Sequence, residues 1–251
     1  MMTATRPFPI QYPGDSWHRI AIHEAGHAVA HLLLGHHVLD TRIGPGADGH
    51  MGSVSGDTRF TGVNTSVLPD MVGAAAGEAA VLHMLNRQYQ PNASTIAWAT
   101  AEHDRKYAAN IAAGTTLPIG IETVLADRIV AEYWDAIDRV ADALRRDPDG
   151  YLDQYAITAT ADLGNIEIDW DTLADMAKAA MPGSAGLQAY LDGPGRQQEN
   201  GRVEFLRQLR THDILLTPEP APRWKLNAEI FDRGLPKIVA ALRAAMGGEQ
   251  R

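Results

Sequence analysis

The segment Ile20–Gly35, I-A-I-H-E-A-G-H-A-V-A-H-L-L-L-G, sets four titratable side chains, His23, Glu24, His27 and His31, into one of the most apolar runs of a 251-residue chain. Asp15 or Ser16 can cap a helix that runs to about Leu34, where Gly35 supplies a stop. On a wheel of about 100° per residue, the three histidines share one wedge with Glu24 and Ile20, and apolar residues with Gly26 fill the rest. No Lys, Gln or Asp lies between Ile20 and Gly35, so the wedge lacks the companions of a solvated face and is expected to point inward. Buried titratable groups need a partner. A metal ion is one.

Histidines four apart lie on one helix face with Cβ atoms about 5–6 Å apart, close enough for two imidazoles to reach a tetrahedral ion at about 2.0–2.1 Å each. The residue after the first His projects about 100° around the helix, beside the ion rather than on it. His23-Glu24-Ala25-Gly26-His27 thus satisfies H-E-x-x-H, with two ligands and a carboxylate placed to take a proton from water. The chain has no cysteine, so thiolate chemistry is excluded and further ligands must be His, Asp or Glu. Catalytic zinc takes three protein ligands and keeps one position for water. His31 stands two turns from His23, about 12 Å along the axis, and cannot join both other histidines. The third His of a short metzincin continuation would fall at Leu33. Two downstream carboxylates sit on apolar helix faces: Glu78 with Met71, Ala74, Val81 and Leu82, and Asp104 with Ala97, Ala101, Tyr107 and Ile111. If buried, each needs a cation or a donor. Spacing alone does not choose between them.

A hydrophobic content of 45% and a charged content of 21% suit a soluble globular protein. The net charge of −9 argues against a nucleic-acid or anionic-membrane surface. No run approaches the roughly 18 apolar residues of a membrane span, and the first residues lack the apolar core of a signal peptide. A cytoplasmic protein is expected. Helix dominates: beyond the first helix, periodicity and breakers predict helices over Pro69 to Gln88, Thr95 to Ala113, Ile121 to Arg146 and Asp171 to Met181, with β-like pieces at Val38 to Ile43 and Gly52 to Val54. The expected fold class is mainly α: a helical zincin-like metallopeptidase domain with a small strand or hairpin element and a helical C-terminal appendage. The expected division is an N-terminal arm at 1–15, a zinc metallopeptidase domain at 16–181, a Gly- and Pro-rich linker at 182–201 and a helical extension at 202–251.

H-E-A-G-H-A with its apolar continuation resembles the protease domain of the FtsH-type AAA+ zinc metalloproteases. V-L-D-T-R-I-G-P-G-A-D-G-H-M-G is similar to that family's strand and Gly-rich turn after the zinc helix, and G-A-A-A-G-E-A-A to its next helix, with Gly77 where that pattern has its first Glu. A-T-A-E-H-D-R-K-Y-A resembles the helix start whose Asp completes the zinc site, with His103 where the family has Asn. The resemblance spans about residues 16–146. It implies His23, His27 and Asp104 as ligands to Zn2+, Glu24 as general base, and Glu78 as a group orienting a histidine. No P-loop ATPase or membrane anchor lies in the sequence, so the comparison implies a stand-alone relative without the unfolding motor.

The expected function is zinc-dependent hydrolysis of peptide bonds in flexible or unfolded polypeptides, with zinc polarising the scissile carbonyl and Glu24 moving the proton. A separate ATPase or a homo-oligomer is the expected partner besides the polypeptide substrate. Leu39 to Ile43 is the candidate strand edge for an extended substrate. His50 and His103 are read as surface residues and Tyr107 as core. One alternative is a site-specific regulatory metallopeptidase that clips one partner protein. Another is a non-catalytic, zinc-stabilised interaction module, in which Glu24 has no task.

Overall fold

The computed structural model describes residues 16–45, 54–61, 66–217 and 221–240; the arm at 1–15 and His50 lie outside them. Helix α1 (Ser16–Leu33) is buried continuously from Ala21 onward. A helix apolar on all sides must be enclosed on all sides. After α1 come strands β1 (His37–Pro45) and β2 (Val54–Thr61), then helices α2 (Val67–Arg87), α3 (Ala93–Thr100), α4 (Glu102–Ala112), α5 (Ile121–Glu132) and α6 (Trp134–Arg146). A short strand β3 (Tyr151–Asp153) precedes α7 (Gln154–Ala161), α8 (Trp170–Ala180), α9 (Ala185–Tyr190), α10 (Arg196–Thr211) and α11 (Arg223–Glu229). The described chain is mainly helical, with one small antiparallel sheet in the order β2-β1-β3. Helix α1 is enclosed by α2, α6, β1 and β2, and α5 covers α2 from the other side.

Small residues set the α1–α2 distance. A Cβ on Gly26 would lie 2.7 Å from the Ala76 carbonyl oxygen and 2.8 Å from the Ala80 Cβ. The two backbones therefore approach where a glycine meets alanines, and the apolar side chains on either side close the seam: Ile22, Val29, Leu33, Val72 and Leu85 are all buried. Burial of each such side chain contributes about 1.5–3 kcal/mol.

Two helices expected to be continuous are each divided. The stretch expected as one helix from Thr95 to Ala113 breaks at Ala101 (φ −119, ψ 23), where Thr100 turns its hydroxyl back onto the Ala97 carbonyl at 2.7 Å. The break puts Asp104 in the first turn of α4, where the helix dipole favours a carboxylate. The stretch from Ile121 to Arg146 breaks at Tyr133 (φ −109, ψ 24), so α5 can lie on α2 while α6 lies on α1. A straight helix could not follow both.

Strand β1 is central. It pairs with β2 on one side and, through Asp40, Thr41 and Arg42, with β3 on the other. The expectation that Leu39 to Ile43 offers a free edge is therefore incorrect. Strand β3, only three residues long, takes that place, and β2 is an outer strand.

The Gly- and Pro-rich stretch at 182–201 carries helix and core rather than open chain. Leu187, Tyr190 and Leu191 are buried in the main core, and a Cβ on Gly195 would meet the Trp170 ring at 2.4 Å. That glycine serves close packing, not flexibility. Leu206, Leu209, Leu215, Leu226 and Ile230 form a second, smaller core. Helix α11 reaches back to the end of α1: Arg223 pairs with Glu167 and donates to the Ile168 carbonyl at 2.6 Å, and Asn227 donates to the Gly35 carbonyl at 2.6 Å. Gly35, at φ +84, ends α1 in the left-handed region, and a Cβ there would collide with Arg223. Among the described residues, no helix is long and apolar enough to cross a membrane.

Candidate metal centre

One turn of α1 separates His23 from His27, and both rings lie buried with their Nε2 atoms 3.0 Å apart. Helix α4 brings Asp104 to the same point: its Oδ2 lies 3.1 Å from His23 Nε2 and 3.5 Å from His27 Nε2. Three ligands at about 2.0–2.1 Å from one tetrahedral ion stand about 3.3–3.4 Å from each other. The observed edges of 3.0, 3.1 and 3.5 Å bracket that value. Among the described residues, this is the group of three whose ligand atoms converge.

The protonation pattern fits the same purpose. His27 Nδ1 donates to the Gly73 carbonyl at 2.9 Å, which fixes the tautomer and leaves the Nε2 lone pair facing His23. Two imidazole nitrogens 3.0 Å apart must share a proton or face a cation, since two lone pairs at that distance repel. Burial opposes a charged His27, but Asp104 and then Glu24 outweigh it and push the imidazole up to about 9. Burial likewise opposes a charged Asp104, yet its contacts with both histidines hold it well below the usual carboxylate range. The pocket is built for positive charge. His23 Nδ1 is buried with no hydrogen-bond partner among the described residues.

Glu24 is buried beside the pair. Burial raises its carboxyl above the ordinary value, opposed by the charges of His23 and His27 and by a hydrogen bond from Thr58. Thr58 Oγ1 on β2 lies 2.8 Å from Glu24 Oε2, and Thr41 Oγ1, directly across on β1, lies 2.8 Å from Thr58 Oγ1. The sheet register thus delivers a hydroxyl pair to the carboxylate. Sequence reasoning missed both threonines, because only strand pairing brings residues 41 and 58 together.

It also missed two glycines. A Cβ on Gly77 would lie 2.5 Å from His27 Nε2 and 2.8 Å from His23 Nε2, and a Cβ on Gly73 would lie 2.2 Å from the His31 ring. Each glycine in a helix interior costs about 1 kcal/mol against alanine, so two at i,i+4 in α2 were an available signal of close approach. The imidazoles fill the space where side chains would stand.

Glu78, the rival carboxylate, lies outside the converging group and pairs with Arg105 at 2.8 Å. His31 makes a separate buried chain: its Nδ1 lies 3.1 Å from His36 Nδ1, and His36 Nε2 lies 2.7 Å from Asp70. Phe60 stacks on the His31 ring at 3.5 Å between centroids. Burial, then the neighbouring His36, holds His31 well below the usual histidine range. His103 is exposed. Tyr107, expected in the core, is instead 38% exposed, one turn beyond Asp104 on the open side of α4.

A scan against known protein families finds no match for the chain, and a search of curated proteins likewise finds none.

Proposed function

We propose that the chain is a zinc-dependent endopeptidase of FtsH-type, zincin-like character, acting on flexible or unfolded polypeptides. The observation that carries the reading is the convergence of His23, His27 and Asp104 with a buried carboxylate, Glu24, held beside them. Asp104, which the family resemblance implies as a ligand, is the carboxylate that lies against the histidine pair. Zinc bound by these three residues would supply Lewis-acid polarisation of the scissile carbonyl and a more acidic attacking water. Thr58 holds Oε2 of Glu24, which leaves the other carboxylate oxygen to accept the proton and return it to the leaving amine. Burial raises Glu24 above an ordinary carboxyl, which moves its basicity toward the pH at which a general base works best. A site that only held a fold together would have no use for Glu24.

Hydrolysis of unfolded casein by the full chain with one equivalent of zinc tests the reading. Activity is expected, is lost on chelation and returns with added zinc. Cleavage of no unfolded protein would overturn the broad-substrate reading, and retention of full activity in chelator would overturn zinc dependence.

Thr58 provides a second expectation. Thr58→Val removes the hydroxyl that orients Glu24 while keeping the β-branched shape. It should lower kcat by about 10- to 150-fold, with KM and zinc affinity unchanged, from the loss of one hydrogen bond to a charged group worth about 1.5–3 kcal/mol. Thr58→Ser should restore the rate. Equal rates in the wild-type and valine proteins would show that Glu24 is held by its packing alone.

A further inference from the structure

A pocket of about 700 Å³ opens beside the metal centre, with Asp104 in its wall. It lies between α2, α4 and the start of α5, and Met71, Leu82, Leu117 and a series of alanines give it apolar sides. Its charges are unbalanced. Glu78, Asp104, Glu122 and Asp127 line it against a single cation, Arg105. That cation is already committed, paired with Glu78 at 2.8 Å and stacked over the Trp98 ring at 3.4 Å. Asp104 faces the histidines. Glu122 and Asp127 remain: Glu122 Oε2 is buried with no hydrogen-bond partner among the described residues, and Asp127 stands at the exposed rim, its carboxyl raised by partial burial and then by the charge of Glu78.

We infer that this pocket is a specificity subsite that receives an arginine or lysine side chain of the substrate polypeptide, its aliphatic stem along the alanine walls and its cationic head between Glu122 and Asp127. This rests on the peptidase reading for its substrate. A purely apolar side chain would leave the buried Glu122 oxygen unpartnered and give the rim carboxylate of Asp127 nothing, whereas a cationic head pairs with both. Long cationic side chains bury their stems along apolar surface in this way. The volume lies within the usual range of ligand pockets, about 300–1,000 Å³.

The test uses the full chain with one equivalent of zinc and reads binding, not turnover. The n-butylguanidinium ion and its neutral isostere N-butylurea are titrated while the Trp98 indole and Ala108 amide resonances are followed by NMR. Saturable binding of the cation at least tenfold tighter than that of the urea is expected, and Glu122→Gln combined with Asp127→Asn should abolish the difference. Equal binding of the two probes, binding of neither, or an unchanged preference in the double variant would overturn the subsite. The casein assay is independent of this result. Selective binding without casein hydrolysis removes the peptidase reading and leaves a cation pocket, and hydrolysis without selective binding does the reverse.

Discussion

Replacing Glu24 with glutamine should leave zinc affinity unchanged and lower peptide hydrolysis by about 10²–10⁴-fold, the range for a positioned general base. Glutamine matches the shape and still offers Thr58 an acceptor oxygen, but it cannot take a proton. His23, His27 and Asp104 keep their mutual contacts, which do not involve Glu24. Stability moves in the other direction. Burial raises the folded-state pKa of Glu24 above its ordinary 4.5, so between those two values the folded chain binds more protons than the unfolded one. The stability this group contributes is full below 4.5 and is lost as pH rises through the folded value. Metal-free Glu24→Gln should therefore be more stable than metal-free wild type at neutral pH, with the gap closing below pH 4.5. Urea denaturation across that window measures it. Parallel loss of zinc and activity in the variant would instead make Glu24 a structural residue.

The second large effect is expected from one methyl group. Gly77→Ala places a Cβ 2.5 Å from His27 Nε2 and 2.8 Å from His23 Nε2, inside the contact distance of either atom. Retreat of helix α2 would open its close contact with α1 at Gly26 and is opposed by α5, which packs against it. The imidazoles must turn, and His27 then loses the Gly73 carbonyl that orients it. Zinc affinity should fall by more than about a hundredfold, beyond the 10–100-fold typical of a lost supporting contact. Helix propensity works the opposite way, favouring alanine by about 1 kcal/mol. Gly201→Ala in α10, with nothing within 4 Å of the added Cβ, isolates that term. Competition with a chromophoric chelator gives the affinities. A Gly77→Ala protein within threefold of wild type would show that the rings do not rest on residue 77.

Much of this centre is legible before folding. The i,i+4 pair, the adjacent carboxylate and the absence of solvated neighbours together predict an inward-facing polar wedge on one helix, and His23, Glu24 and His27 are buried there. The third candidate ligand is not legible in the same way, since Glu78 and Asp104 both occupy apolar faces and only the placement of α4 separates them. The resemblance to FtsH-type proteases points to Asp104, and Arg105 removes Glu78 by pairing with it. The breaks at Ala101 and Tyr133 carry no Gly or Pro to announce them. They follow from which neighbour each half-helix covers. The misassigned sheet edge has a similar cause, because a strand as short as Tyr151–Asp153 leaves no alternation to read. Glycine is ambiguous at the sequence level for a further reason: Gly35 ends a helix, Gly195 admits a ring and Gly77 admits two, and the residue beside it decides which.

The clasp at the end of α1 sets an order in time. Asn227 bonds to Gly35 across 192 positions of sequence, and at about 5–20 residues per second of synthesis some 10–40 s separate the two. The histidine pair is local and can form early. The Gly35 carbonyl at the end of their helix gains its bond only once Asn227 has been made. A nascent chain therefore carries His23 and His27 well before it carries the residues that close the end of their helix.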